Sequence, residues 1–293
     1  MSRNQNSLAS ARPALRYSSL PLILILLVLL TPTRFMAQSG GSAEPLARGT
    51  DSAPLKSDQP FAALELARRS IEKYFEQATN VVCLESVTQS ILDKNGKGIY
   101  REESSFEYQL QSAQSGTLHL VESRVARKAS FRDPARTLLI TNGFTSLLLI
   151  AHPDYEPSYS FESAGEEAID GATQLKFIFK PILGGTSPAA LQLRGRSYAL
   201  PLSGSLWIDA RSGLITKLVA QVDSSLADLG LKQMRSEIQY AAVSFRDPEE
   251  TYWMPVAATI DVETPRQHWR NVHRFTNYRR FRATILVGTD SKP

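Results

Sequence analysis

The stretch Gly204 to Val222, GSLWIDARSGLITKLVAQV, constrains the fold of this chain more than any other. Two runs rich in Leu, Ile, Val, Trp and Thr, residues that fit a pleated half-buried surface, flank the polar turn Asp209-Ala210-Arg211-Ser212-Gly213. Gly213 can take a positive φ without steric penalty, as closing a short hairpin requires. The stretch therefore reads as an antiparallel hairpin inside a large sheet. Tyr252 to Glu263 carries the cleanest alternation, with Tyr252, Met254, Val256, Ala258, Ile260 and Val262 on one side. Strands separated by tight turns, with no helix between them, imply antiparallel order.

The other elements follow from periodicity and turn residues in the same way. Phe61, Leu64, Ala67, Ile71, Phe75 and Ala78 recur at helical steps, which predicts an amphipathic helix over Pro60 to Ala78, capped by Asp58. Strands are expected at Val81–Leu92, Ile99–Gln111 and Thr117–Arg127. An edge strand containing Pro157 is expected at Tyr155–Gly165, followed by Thr173–Pro181. Leu138 to Ala151 has two readings: a hairpin turning at Asn142-Gly143, or a short helix over Gly143–Ala151. Leu147 to Ile150 lacks a period of two, which favours the helix, buried beneath a curved sheet. Ala189 to Ser203 reads as an irregular connection. Three closing strands follow: Gln233–Arg246, Tyr252–Glu263 and His268–Arg282.

Before this domain, Arg3, Arg12 and Arg16 precede the apolar run Leu20 to Leu30, and small residues follow up to Ala37. That layout predicts a secretory signal peptide over 1–37, with an uncleaved anchor as the competing reading. Residues 38–57, rich in Ser, Gly, Pro and Ala, read as a disordered linker. One antiparallel domain is expected over 58–285, with a tail at 286–293. Without the signal segment, Lys+Arg falls from 33 to 29 against 29 Asp+Glu, leaving a formally neutral chain. A nucleic-acid partner loses its main electrostatic support. Export, to the periplasm or the extracellular space, is the expected destination.

Candidate chemistry is sparse. The single cysteine, Cys83, lies in an apolar run and reads as a buried hydrophobe. His268 and His273 are five apart, so on a strand they face opposite sides and cannot share a metal. Neighbouring carboxylates, Glu102/Glu103 and Glu166/Glu167, point apart in extended chain. No nucleophile elbow, phosphate loop, dinucleotide fingerprint or zinc-helix motif occurs. The expectation is no enzyme, no cofactor and no metal. Arg266, Arg270, Arg274, Arg280 and Arg282 would line one strand face. They read as a solvated outer face, neutralised in part by Asp261 and Glu263, or as a patch for an anionic partner.

Several motifs in this order resemble a known group. They are Val82-Cys83-Leu84-Glu85, G-x-L-W-I-D-x-x-S-G-L-I (Gly204 to Ile215), Trp253-Met254-Pro255, and a final N-Y-x-x-F (Asn277, Tyr278, Phe281). Together they resemble exported bacterial proteins of the LolA-like periplasmic lipoprotein-carrier superfamily. The resemblance implies a strongly curved antiparallel half-barrel with the N-terminal helix and a second short helix on its concave side. It also implies a non-enzymatic protein that holds an apolar or lipid-like ligand, such as lipoprotein acyl chains, in that concavity. Leu147, Leu148, Ile150, Phe177, Phe179 and Trp207 are candidate lining residues on this reading. The alternative is an envelope interaction or sensor protein whose groove is filled by its own helix. Membrane contact is expected only through an uncleaved signal or transiently.

Overall fold

The computed structural model describes residues 59–77, 80–112, 120–128, 141–169, 171–193, 196–222, 226–246 and 249–280. The signal and linker segments, the tail, Asp58, expected as the helix cap, and Arg282 lie outside these residues. The chain begins with helix α1 (Gln59–Gln77), then strands β1 (Val81–Leu92), β2 (Gly98–Ser112) and β3 (Leu120–Lys128). A 3-10 helix at Ser146–Ala151 and a short one at Glu156–Ser158 lead to β4 (Tyr159–Ile169) and β5 (Ala172–Pro181). Next come β6 (Ala190–Leu193), β7 (Arg196–Ala199), β8 (Leu202–Asp209) and β9 (Ile215–Val222). The chain closes with β10 (Gln233–Arg246), β11 (Glu249–Glu263) and β12 (His268–Arg280).

Ten strands form one open antiparallel sheet in the order β3-β2-β1-β12-β11-β10-β9-β8-β5-β4. The fold is thus the expected mainly-β half-barrel. β6 and β7 form a separate hairpin in the stretch read as irregular. Register shifts between Val82 and Leu84, and between Gln239 and Tyr240, add local twist where the sheet must bend.

Helix α1 buries Ala63, Leu64, Ala67, Ile71, Tyr74 and Phe75. Phe61, expected on that stripe, is 58% exposed, because the packing of the helix begins only at Ala63. The ambiguous segment is helical, as favoured, but as a tight 3-10 helix that buries every residue from Ser146 to Ala151. With no polar face, it can only be a plug. Pro157 lies in the short helix before β4 rather than in the strand, since the ring removes a ladder donor. β4 itself is an edge, running on to Ile169 past a register shift at the positive-φ Gly165.

The β8–β9 turn shows why its sequence is so specific. Asp209 Oδ1 accepts hydrogen bonds from the Ser212 N–H at 2.8 Å, the Arg211 N–H at 3.2 Å and the Ser212 hydroxyl at 2.8 Å. Gly213 has φ +70°, and a Cβ there would stand 2.4 Å from Leu66 Cβ of α1. The glycine therefore does two jobs: it closes the turn and lets α1 lie against it.

Candidate functional site

Two places in the molecule carry chemistry. The first is a buried polar chain at the β3 side of the sheet. Glu85 on β1 is fully buried, and His273 on the adjacent β12 is nearly so. His273 Nδ1 lies 2.8 Å from Glu85 Oε1, and Thr141 Oγ1 lies 3.0 Å from His273 Nε2. Arg124 on β3 reaches across β2 and pairs with both Glu85 oxygens, at 2.8 Å through Nη2 and also through Nε. Its guanidinium covers the Tyr108 and Phe144 rings at 5.4 and 5.7 Å.

Protonation follows from this burial. Desolvation lowers the His273 pKa, so the ring is neutral, with Nδ1–H donating to Glu85 and Nε2 accepting from the Thr141 hydroxyl. Burial works to raise Glu85, but the His273 and Arg124 hydrogen bonds hold it below the usual carboxylate range. Thr–His–Glu is the order of a nucleophile, base and orienting acid. Here the nucleophile position is sealed: Thr141 is 4% exposed, and the adjoining void holds about 10 Å³. That is room for a single water at most. The arrangement acts as a clamp instead. Glu122 accepts from the Gly143, Phe144 and Thr145 N–H groups at 2.6, 3.2 and 3.2 Å. The Tyr240 hydroxyl donates to the Phe144 carbonyl at 2.7 Å. Together with Thr141, these bonds fix the start of the plug to the sheet.

The second place is a half-open cleft of about 560 Å³ between α1 and the sheet. Its walls are Ser70, Ile71, Lys73 and Tyr74 of α1, Leu148 of the plug, Gly213 to Ile215 after the β8–β9 turn, and Glu250 to Trp253 of β11. The volume lies within the range of sites that hold a drug-sized molecule, roughly 300–1,000 Å³. Ile71, Tyr74, Leu148, Leu214, Ile215, Tyr252 and Trp253 give it an apolar side, and Ser70, Lys73, Glu250 and Thr251 a polar one, so the lining is mixed. Two bonds hold the walls. The Tyr74 hydroxyl donates to Met254 Sδ at 3.4 Å, and Trp253 Nε1–H donates to the Ile215 carbonyl. The one carboxylate in the lining, Glu250, accepts from Arg280 Nη2 at 2.6 Å and from the Tyr252 hydroxyl at 2.5 Å.

No family model matches the chain, and no curated protein matches it. Solved structures do. A DUF1329 family protein from Desulfovibrio piger is 14% identical over 78% of this chain and 95% of its own, with a TM-score of 0.38. A putative outer membrane lipoprotein-sorting protein domain from Vibrio parahaemolyticus is 9% identical over 78% and 95%, with a TM-score of 0.38. A LolA superfamily protein from Nitrosomonas europaea is 12% identical over 77% and 94%, with a TM-score of 0.36.

The expected lining residues are distributed unequally. Leu147, Leu148, Ile150, Phe177 and Phe179 are all in the core, but of these Leu148 alone lines the cleft. Trp207 is on the other face. Leu206 pairs with the core residue Phe177, so Trp207, one residue on, turns outward with Lys176 and Lys217. Both ammonium groups lie 5.0 Å from its ring, and its Nε1–H donates to Glu167 at 2.8 Å. The lysine stems hide the ring from water without placing it in the concavity.

The arginine row is also divided. Arg266, Arg270 and Arg274 are exposed, and Arg270 Nε bonds Asp261 at 2.8 Å. Glu263, the other acid considered, pairs with Lys232. Arg280 departs from the row because Asn277 takes φ 55° and the β1–β12 register shifts, so the period-two count fails beyond it. Arg280 pairs across from the buried Val81 and lies against Phe245 and Tyr252. Cys83 is buried, and desolvation pushes its thiol up to about 12, so it is inert at neutral pH. Among the described residues no group of three metal-ligating side chains converges. No helix among them is long and apolar enough to cross a membrane.

The cleft residues Ile71, Ile215, Tyr252 and Trp253 were legible only as core or as fold markers, and Tyr74 carried no signal at all. The signal that could have found them is the motif order itself. S-G-L-I and Trp-Met-Pro, far apart in sequence, meet at this one cleft.

Proposed function

We propose that this protein binds an apolar or amphiphilic ligand, without chemical conversion, in the cleft between α1 and the β9–β11 part of the sheet. One observation carries the reading: a half-open cavity of about 560 Å³ whose lining joins apolar side chains to polar ones, as an amphiphilic ligand requires. Apolar surface left half-open in this way gains free energy when a ligand covers it. An exported, periplasmic setting suits such a role, and the signal-like segment before the domain supports it. The test is native mass spectrometry of gently extracted protein, with uptake of a fluorescent fatty acid as the second readout. Co-purified lipid or saturable uptake, weakened about tenfold by Leu214→Trp in the cleft, is the expected result. Repeated absence of both sinks the proposal.

A second reading is an envelope interaction or sensor protein. The filled concavity favours it: Leu147 to Ala151 occupy the space under the sheet and leave a void of about 10 Å³ beside Thr141. Its test is binding of a periplasmic protein partner by a chain whose cleft has been filled by Leu214→Trp.

A further inference from the structure

The charge distribution around the cleft narrows the class of ligand, on the reading that the cleft is a binding site. Lys73 lines it from α1, is exposed, and makes no ion pair among the described residues. The acid in the same lining, Glu250, is already engaged. Arg280 and Tyr252 both bond its Oε2, and the Arg280 guanidinium is stacked 4.6 Å from the Tyr252 ring. The Tyr252 hydroxyl also accepts from Arg280. Acid and guanidinium therefore cancel, and the surplus charge in the lining is the exposed ammonium of Lys73. Ile71, Leu148, Leu214 and Trp253 supply the apolar floor of the same lining.

From this juxtaposition we infer that the cleft takes a single-chain amphiphile with an anionic head, a carboxylate or a phosphate. The chain lies along the floor and the head is held by Lys73. A lysine on a flexible stem suits this role, because its three donors can follow a head group whose depth varies with chain length. An alcohol head would leave the ammonium without its counter-charge, and an amine would be repelled.

The experiment is isothermal titration of the purified chain with laurate, dodecyl phosphate, dodecanol and dodecylamine, all below their aggregation concentrations. Lys73→Gln and Lys73→Glu are run beside the native chain. Both substitutions are at an exposed helical position, and circular dichroism confirms that the fold is retained. A charge-assisted contact in a half-open site predicts binding of the anions about tenfold tighter than of dodecanol, with dodecylamine weakest. That preference shrinks from about 50 mM to about 500 mM salt. Lys73→Gln brings acid and alcohol together, and Lys73→Glu turns the preference toward the amine. Tighter binding of laurate than dodecyl phosphate assigns a carboxylate head; the reverse assigns a phosphate. Equal binding of acid, alcohol and amine, unchanged in both variants, overturns the head-group inference and leaves the apolar cleft standing. Failure of all four to bind overturns the cleft reading itself.

Discussion

The clamp and the cleft are built from similar residue types and do opposite things. In the clamp, Glu85, Arg124, His273 and Thr141 satisfy one another in a closed interior. In the cleft, Tyr252, Glu250 and Arg280 pair with one another at the edge of an open space, and Lys73 is left over. A polar group whose partners are all internal can only hold the fold together. One whose partner is missing, beside apolar surface open to solvent, is available to something else. The difference lies in closure, not in composition.

The sharpest way to break this contrast is Glu85→Gln. Removing one member of a buried ion pair costs about 3–5 kcal/mol, because the remaining charge is stranded. Chemical denaturation would show that loss, while ligand affinity per folded molecule stays unchanged. A variant with native stability would mean that the clamp does not hold the plug.

Gly213→Ala comes next. A side chain at φ +70° is strained, and its Cβ meets Leu66 at 2.4 Å, so a loss of about 1–3 kcal/mol is expected. Unlike the clamp variant, it should also weaken ligand binding, since the turn forms a wall of the cleft. Separate measurement of stability and affinity decides whether the two regions are independent.

Acid sharpens the comparison further. His273 and His152 are both lowered by desolvation, so the unfolded chain takes up protons near pH 6.5 that the folded chain refuses. Stability is therefore complete above that pH and falls as the pH drops below it. Glu85, held below the ordinary carboxylate range, extends the loss below about pH 4.3. In His273→Gln, the slope of unfolding free energy below about pH 6.5 should shrink, by at most about one proton's worth. An unchanged slope would place the acid sensitivity elsewhere.

Smaller effects are expected at the surface. Leu214→Trp fills the cleft from a half-buried position and should change stability by no more than about 0.5 kcal/mol. It should still lower ligand affinity by about tenfold, the equivalent of ~1.4 kcal/mol. Arg270→Ala removes a half-exposed pair with Asp261, which contributes about 0–1 kcal/mol, and should leave ligand binding untouched. A large loss of binding there would move the site to the outer face.

Much of the fold was legible because strands announce themselves locally. Val81–Leu92 matches its expected bounds, and Asp209-to-Gly213 closes its hairpin, since alternation and turn chemistry are properties of neighbouring residues. The β6–β7 hairpin was not legible: four-residue strands are too short to show a period. Arg280 and Trp207 show two other limits. One bulge at Asn277 reverses every face assignment after it, and nothing in the run from Arg266 to Arg282 marks the break. A tryptophan between two core residues reads as core itself until its strand neighbours, Lys176 and Lys217, are known.

The sequence by itself determined an antiparallel sheet, an amphipathic helix to cover it and a buried plug, because periodicity fixes which faces must leave water. Only the tertiary structure decided what those faces enclose. Glu85 and His273 are 188 residues apart, and α1 meets β11 across most of the chain. Such meetings depend on how far the sheet bends and where it bulges, and these are set by the packing of all its strands at once.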